Sequence, residues 1–407
     1  MSSLVSLTEA QQRVQKAVKQ LPPRPMPLTS AIGSIVGEDI RSPINVPQFP
    51  RSAMDGIAVR TADLKGDGPW CLPIQTVIEA GNTTPHSLLD QHVVKIMTGA
   101  PLAEGADAVI KIEDVIVQDN KAVISQLPAP GSFIRPMGND ITSGQVLFRR
   151  GDLLRPGDIG ILASIGLQQV MVTPRPRIAL VSTGSEIVEP GAQLQYGQIY
   201  DSNIPTLYSL LSYDRFPVQT QERVRSNDLE PLRETLKRCL EHHDLVITTG
   251  AVSMGDYDFI PDIVTALGGK LLFYKVAVKP GKPTLIADMG QCWLVSLPGN
   301  PVSVLVGYFL YVRRVVSRLS GLPFEPVRSH ATLAGDVRVS GNRFNIVGAR
   351  LEKTVKGLVA HPSPRQESGR LSSARSIDGL MMIEGGTRTV KKGTQVLVEL
   401  LNHERLP

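Results

Sequence analysis

Cysteine is scarce in this chain. Cys71, Cys239 and Cys292 are the three present, an odd number at wide spacing from which neither a disulfide framework nor a zinc or iron–sulfur pattern can be built. All three are expected as reduced, buried thiols. The seven histidines contain no His-Glu-x-x-His, and His242 and His243 stand just before an expected strand, where a helix-end or turn role accounts for them. Aromatics make up 5% of the residues and Lys and Arg are dispersed, so neither a stacking platform nor a basic helix for nucleic acid is visible. A net charge of +5 suits an anionic small molecule better. Apolar runs fall short of the roughly 18 to 20 residues that a bilayer span requires, which excludes an integral helical membrane protein. Met1-Ser2-Ser3-Leu4 lacks the basic start, apolar stretch and cleavage site of a secretory signal, so the expected location is the cytoplasm.

What is present is globular in texture. At 407 residues the chain is too long for one ordinary core, and two or three domains are expected. Ser6 followed by Glu9 forms a capping box, and Leu7, Ala10, Val14, Ala17, Val18 and Leu21 recur at helical spacing until Pro22-Pro23. From about Leu28 to Val172 short apolar runs are broken by Gly and Pro, which reads as strand and loop. Beyond the linker Pro174-Arg175-Pro176, buried strands alternate with helices, the pattern of a parallel sheet covered on both faces. Strands are expected at 178–182, 245–248, 271–278 and 293–297. Helices are expected near 204–211, 229–239, 259–267 and 302–319, with Gly321 and Pro323 ending the last. After Pro323, short strands and Gly-rich turns return. The expected division is 1–173 (N-terminal helix and β-rich region), 174–322 (α/β) and 323–407 (small β domain).

In an open parallel sheet, ligands bind beyond the carboxyl ends of the strands. Three such ends carry loops rich in Gly and hydroxyls: Thr183-Gly184-Ser185-Glu186, then Thr249-Gly250-Ala251-Val252-Ser253 running on to Asp258, and Pro298-Gly299-Asn300-Pro301-Val302-Ser303. Gly lets backbone approach an oxyanion and hydroxyls add donors. Any one of these loops alone is better explained by a simple βα turn; three in one sheet point to a phosphate-bearing ligand. No P-loop is present, since Gly281-Lys282 is followed by Pro283 and Val276 occupies the first glycine position. No Gly-x-Gly-x-x-Gly follows a strand. Lys270, Lys275, Lys279 and Lys282 form a run of cations, and on a strand spanning 271–278 period-two alternation would project Lys275 and Lys279 from one face, either toward an anion or on a solvated edge. Lys279-Pro280-Gly281-Lys282-Pro283 is a stiff turn presenting two cations.

Six stretches in order carry a family likeness: Ser52-Ala53-Met54-Asp55-Gly56-Ile57-Ala58-Val59-Arg60, Ile96-Met97-Thr98-Gly99-Ala100-Pro101, Ser182-Thr183-Gly184-Ser185-Glu186, Val252-Ser253-Met254-Gly255-Asp256-Tyr257-Asp258, Lys279-Pro280-Gly281-Lys282-Pro283 and Leu297-Pro298-Gly299-Asn300-Pro301-Val302-Ser303. By these the sequence closely resembles the molybdopterin molybdenumtransferases, the bacterial MoeA proteins and the gephyrin E domain, over essentially its whole length. The resemblance implies a central three-layer α/β pterin-binding domain with a mostly parallel sheet, a β-rich N-terminal region and a C-terminal β-barrel-like domain. It implies insertion of molybdate into adenylylated molybdopterin with release of AMP. It also implies a homodimer whose cleft lies between subunits, and a transient contact with the molybdopterin adenylyltransferase. On this reading Asp55, Thr98 and Asp140 come from the N-terminal side, and Glu186, Ser253, Asp258, Lys275, Lys279, Lys282 and Pro298 from the α/β side. Thr183, Gly184, Ser185, Gly250, Gly299, Asn300 and Ser368 join the substrate contacts. By charge, the lysines suit molybdate and the pterin phosphate, whereas Asp55, Asp140, Glu186 and Asp258 suit Mg²⁺, with Asp55, Glu186 and Asp258 as its ligands.

The chain departs from the family pattern at several points. Thr249-Gly250-Ala251 stands where Ser-Gly-Gly is usual, mild if Ala251 has negative φ and a distortion if it does not. Asn139 precedes Asp140 in place of an acid, Pro136-Met137 replace basic residues, Val224-Arg225-Ser226-Asn227-Asp228 lacks an acidic pair, and Gly341-Asn342-Arg343 loosely matches a Gly-Arg motif. Two other functions compete: a scaffold that kept the fold without the chemistry, against which the four retained carboxylates speak, and a nucleotide hydrolase of the same α/β class, which leaves the N-terminal region unexplained.

Overall fold

A computed structural model describes residues 4–225, 228–252, 259–363 and 369–401. The chain forms two compact units, Arg24–Val172 and Met1–Pro23 with Thr173–Pro407. In the first, a six-stranded sheet runs in the order Ala108–Lys111, Gly56–Val59, Val93–Ile96, Trp70–Ile78, Lys121–Ile124, Val115–Gln118. Ile57 and Val59 enter one apolar cluster and Ala58 another, the period-two consequence of a strand covered on both faces. A three-stranded sheet of Arg24–Pro27, Gln169–Thr173 and Ile35–Val36 accompanies it.

The second unit is built on a six-stranded sheet ordered Val218–Val224, Ile178–Thr183, Leu245–Thr249, Trp293–Leu297, Leu285–Asp288, Lys270–Tyr274. The first four strands are parallel, and Leu285–Asp288 pairs antiparallel with both Trp293–Leu297 and Lys270–Tyr274, so it alone runs against the rest of the sheet. Alternation sorts the side chains: Ile178, Leu180, Ile247 and Val295 face one core with helices Asn203–Tyr213 and Pro301–Leu319, while Ala179, Val181, Val246 and Leu294 face the other with Leu229–His242 and Ile260–Ala266. This is the expected three-layer arrangement. The last helix passes through one π turn at Tyr308–Val312, where the buried Tyr308 hydroxyl donates to Asp214 Oδ2 at 2.6 Å and Arg313 pairs with the same carboxylate at 2.8 Å.

Five C-terminal strands close into a barrel: Phe344–Thr354 pairs Gly357–Pro362, which pairs Arg328–Leu333, then Gln395–Leu400, then Gly379–Ile383, which returns to the first. Closure removes unpaired edges.

Three expectations change. The N-terminal helix, Leu7–Ala17, was grouped with the β-rich region, yet Leu7, Ala10 and Val14 are buried in the α/β core; the cap forms as expected, with Glu9 N–H donating to Ser6 Oγ. The single strand over 271–278 is two: Lys270–Tyr274 ends the central sheet, and Val278–Lys279 pairs in parallel with Phe344–Asn345 of the barrel. Between them Lys275 adopts φ 68, which breaks the alternation that put Lys275 and Lys279 on one face. Cys71 is exposed, whereas Cys239 and Cys292 are buried; burial pushes the Cys292 thiol up to about 12. Among the described residues, no helix is long and apolar enough to cross a membrane.

If the first helix completes the α/β core, Leu7→Ala should cost about 2 to 3 kcal/mol, at the lower end of the usual range for such truncations. Urea unfolding followed through Trp293 in a Trp70→Phe background reads it. An unchanged midpoint would show that the helix contributes nothing to that core.

Candidate functional site

A cleft of about 1220 Å³ opens at the carboxyl ends of the parallel strands. Its floor is the three glycine loops: Thr183, Gly184 and Glu186; Gly250 and Ala251; and Pro298, Gly299 and Asn300. Glycine is required where these loops meet. Gly250 has φ 89, and a Cβ there would lie 2.6 Å from Thr183 Oγ1. Gly184 has φ 142, and a Cβ would meet Glu186 Oε2 at 2.6 Å, so the Glu186 carboxylate folds back over the first loop. Ala251 has φ 51. The departure from glycine noted in the sequence is therefore a strained one, costing about 1 to 2 kcal/mol for an L-residue in that region.

The opposite wall is cationic. Lys279 and Lys282 line the cleft with Arg338 and Arg343 of the barrel. The Val278–Lys279 pairing with Phe344–Asn345 brings these segments together, and Lys279 Nζ donates to Ser340 Oγ at 2.8 Å. The other expected cation, Lys275, is not among the lining residues; its ammonium sits 4.3 Å from the Tyr274 ring centroid. Ser185 belongs to the first loop without lining the cleft. Ser253, Asp258 and Ser368 lie outside the described residues.

Asp201 and Asn203, passed over in the sequence because they look like an ordinary helix start, also line the cleft. Asp201 is buried and accepts from Ser182 Oγ, Arg223 Nε and the backbone N–H groups of Asn203 and Ile204. Four donors around one carboxylate satisfy its hydrogen-bonding capacity out of water. Arg338 and Arg343 were missed as site residues because no local spacing links them to the α/β loops.

In the other unit, Asp55 and Thr98 come together. Ser52 N–H donates to Ala100 O and Gly99 N–H to Ser52 O, which sets the two segments side by side. Asp55 Oδ1 accepts from Thr98 Oγ1 at 2.7 Å and Thr98 N–H at 2.6 Å. These bonds, the side-chain one first, hold the exposed Asp55 carboxyl below its usual range. Asp140 is exposed in the same unit, its N–H donating to Val46 O. No group of three potential metal-ligating side chains forms among the described residues.

Two outcomes follow from this geometry. Ala251→Gly should stabilise the unit by roughly 0.5 to 1 kcal/mol, relief of left-handed strain minus the backbone entropy of glycine; a lower urea midpoint would show that the methyl packing outweighs the strain. Thr98→Val should raise the Asp55 pKa toward the ordinary aspartate value, read from its carboxyl ¹³C shift. Because the folded-state pKa is depressed, the stabilisation from Thr98 is present above the unfolded value and disappears as pH falls through the folded one. An unmoved titration would show that the bonds do not persist in solution.

Three family matches cover the chain in order: the MoeA N-terminal region (domains I and II) at residues 5–166, a probable molybdopterin binding domain at 179–318 and the MoeA C-terminal region (domain IV) at 330–401. A molybdopterin molybdenumtransferase of Staphylococcus epidermidis is 32% identical over 97% of this chain and 95% of its own length. One from Staphylococcus aureus is 31% identical over 96% and 94%. The crystal structure of a molybdopterin biosynthesis MoeA protein from Pyrococcus horikoshii superposes with a TM-score of 0.78 at 30% identity, covering 98% of this chain and 100% of that one. With a glycine-loop α/β domain, a closed C-terminal barrel and full-length likeness in agreement, the chain belongs to the MoeA family of molybdopterin molybdenumtransferases.

Proposed function

We propose that this chain inserts molybdate into adenylylated molybdopterin with release of AMP, in the cytoplasm, as the closing step of molybdenum cofactor assembly. The charge balance of the cleft carries the reading. Among the described lining residues, Lys279, Lys282, Arg338 and Arg343 face Glu186 and Asp201, and Asp201 is already paired with Arg223 at 3.1 Å. A ligand set with several anionic oxygens, such as a phosphoanhydride together with molybdate, balances that excess by charge-assisted hydrogen bonds. Arg and Lys beside the breaking phosphoanhydride stabilise charge on the departing AMP. The glycine loops hold the substrate so that its two dithiolene thiols bond molybdenum while one molybdate oxygen leaves with their protons as water, and a water molecule cleaves the phosphoanhydride to AMP and the pterin phosphate; no side chain needs to form a covalent intermediate.

Mg²⁺ fits the donor set in part. This ion is commonly held by one or two carboxylates and substrate phosphates, and Glu186 supplies one carboxylate on the cleft wall. Asp55 keeps Oδ2 for such a role, since its bonds from Thr98 fall on Oδ1. When bound, the ion would add positive charge at the phosphates. We further infer a homodimer in which Asp55, Thr98 and Asp140 of one subunit serve the cleft of the partner, and a transient contact with the adenylyltransferase that delivers the substrate.

Purified protein given adenylylated molybdopterin, molybdate and Mg²⁺ should release AMP, and Lys279→Ala should weaken molybdate or substrate binding about tenfold or more. Mixing Asp55→Asn with Lys279→Ala under subunit exchange should restore part of the activity. No AMP from the wild type would overturn the reading, and inactive mixtures with proven heterodimers would overturn the shared site.

A further inference from the structure

Asn203 opens the helix Asn203–Tyr213 and is 8% exposed. Its Nδ2 donates to Gly299 O at 2.8 Å, while its Oδ1 is buried with no hydrogen-bond partner among the described residues. Gly299 itself is exposed in the third cleft loop. The pairing is lopsided: a buried amide leaves its own acceptor unsatisfied in order to hold a carbonyl that water could serve instead. Stability does not explain such an arrangement, because an unpaired buried acceptor destabilises a fold. Local rules broken at a cleft point to function.

We propose that Asn203 is a positioning residue that fixes the Gly299–Asn300 peptide for substrate binding. The backbone around Asn203 is itself anchored. Asp201 Oδ1 accepts from the N–H groups of Asn203 and Ile204, and Asp201 Oδ2 accepts from Ser182 Oγ at 2.8 Å and Arg223 Nε at 3.1 Å. Ser182 immediately precedes the first glycine loop, so one turn ties the first loop to the third. The C=O of residue 299 and the N–H of residue 300 belong to one planar peptide and point in opposite directions. Fixing the carbonyl on Asn203 therefore also fixes the direction of the amide that precedes the helix beginning at Pro301. Asn203 acts through Gly299 and is not itself a catalytic residue.

This inference rests on the transferase reading for its kinetic test, so a second readout is independent of it. Asn203→Leu has nearly the same volume and removes both the donor and the unsatisfied acceptor. The expected result is an unchanged or higher Tm, with KM for adenylylated molybdopterin up about threefold to tenfold and kcat within about twofold, the pattern of lost uniform binding. Amides of 298–304 should exchange with deuterium faster, whether or not the wild type turns over. Asn203→Asp, which keeps the shape but sets a carboxylate oxygen against Gly299 O, should behave alike in both KM and exchange and serves if the leucine variant does not fold. Unchanged exchange at 298–304 overturns the positioning role. A lower Tm with KM and exchange unaltered shows a merely structural residue. Absence of AMP release by the wild type overturns the transferase reading alone, and the exchange result still decides the role of Asn203.

Discussion

The close approach of backbone at the ends of the parallel strands is the constraint from which the site derives. A side chain at Gly250 would collide with Thr183, and one at Gly184 would collide with Glu186. The Gly250 contact is the one between loops: a Cβ there would press on both the side chain and the backbone of Thr183, so a glycine at 250 is what lets the first and second loops lie side by side. Helices following the strands then set backbone N–H groups at the same end, where an oxyanion is stabilised. Ala251 tolerates φ 51 because the loop on either side is already fixed: Gly250 N–H donates to Leu297 O, and Ala251 O accepts from Ile260 N–H at the start of the next helix.

The second determinant is the short parallel pairing of Val278–Lys279 with Phe344–Asn345. It joins the α/β domain to the barrel and gathers Lys279, Arg338 and Arg343 on one wall. Glycine loops supply directional donors of partial charge, whereas the barrel side supplies full charges. A cleft with both can hold more than one anionic group, as a transfer between an oxyanion and a phosphorylated ligand requires.

Legibility in the sequence followed how local each feature is. Trp293–Leu297 was read at its observed bounds, and 178–182 and 245–248 fell one residue short, because a buried parallel strand is a continuous apolar run between turn signals. Val218–Val224 carries no strand signal in the sequence because its edge position lets the polar residues Gln219 to Arg223 run unbroken between its two valines. The break at Lys275 was invisible because a left-handed lysine has no composition signature. Asp55 with Thr98 and the loops around Gly184, Gly250 and Gly299 were legible as motifs. Arg338, Arg343 and Asn203 were not, since their roles arise only when the barrel closes or when a helix start reaches across to another loop.

On this reading the adenylylated pterin and the oxyanion meet in the cleft over the three glycine loops. A crystal soaked with adenylylated molybdopterin, Mg²⁺ and molybdate tests it most directly. Ligand density is expected over Gly184, Gly250 and Gly299, with phosphate or molybdate oxygens within hydrogen-bond distance of Lys279, Lys282 or Arg343. Density for the pterin elsewhere on the protein, or an ordered ligand whose anionic groups face away from those side chains, would contradict it.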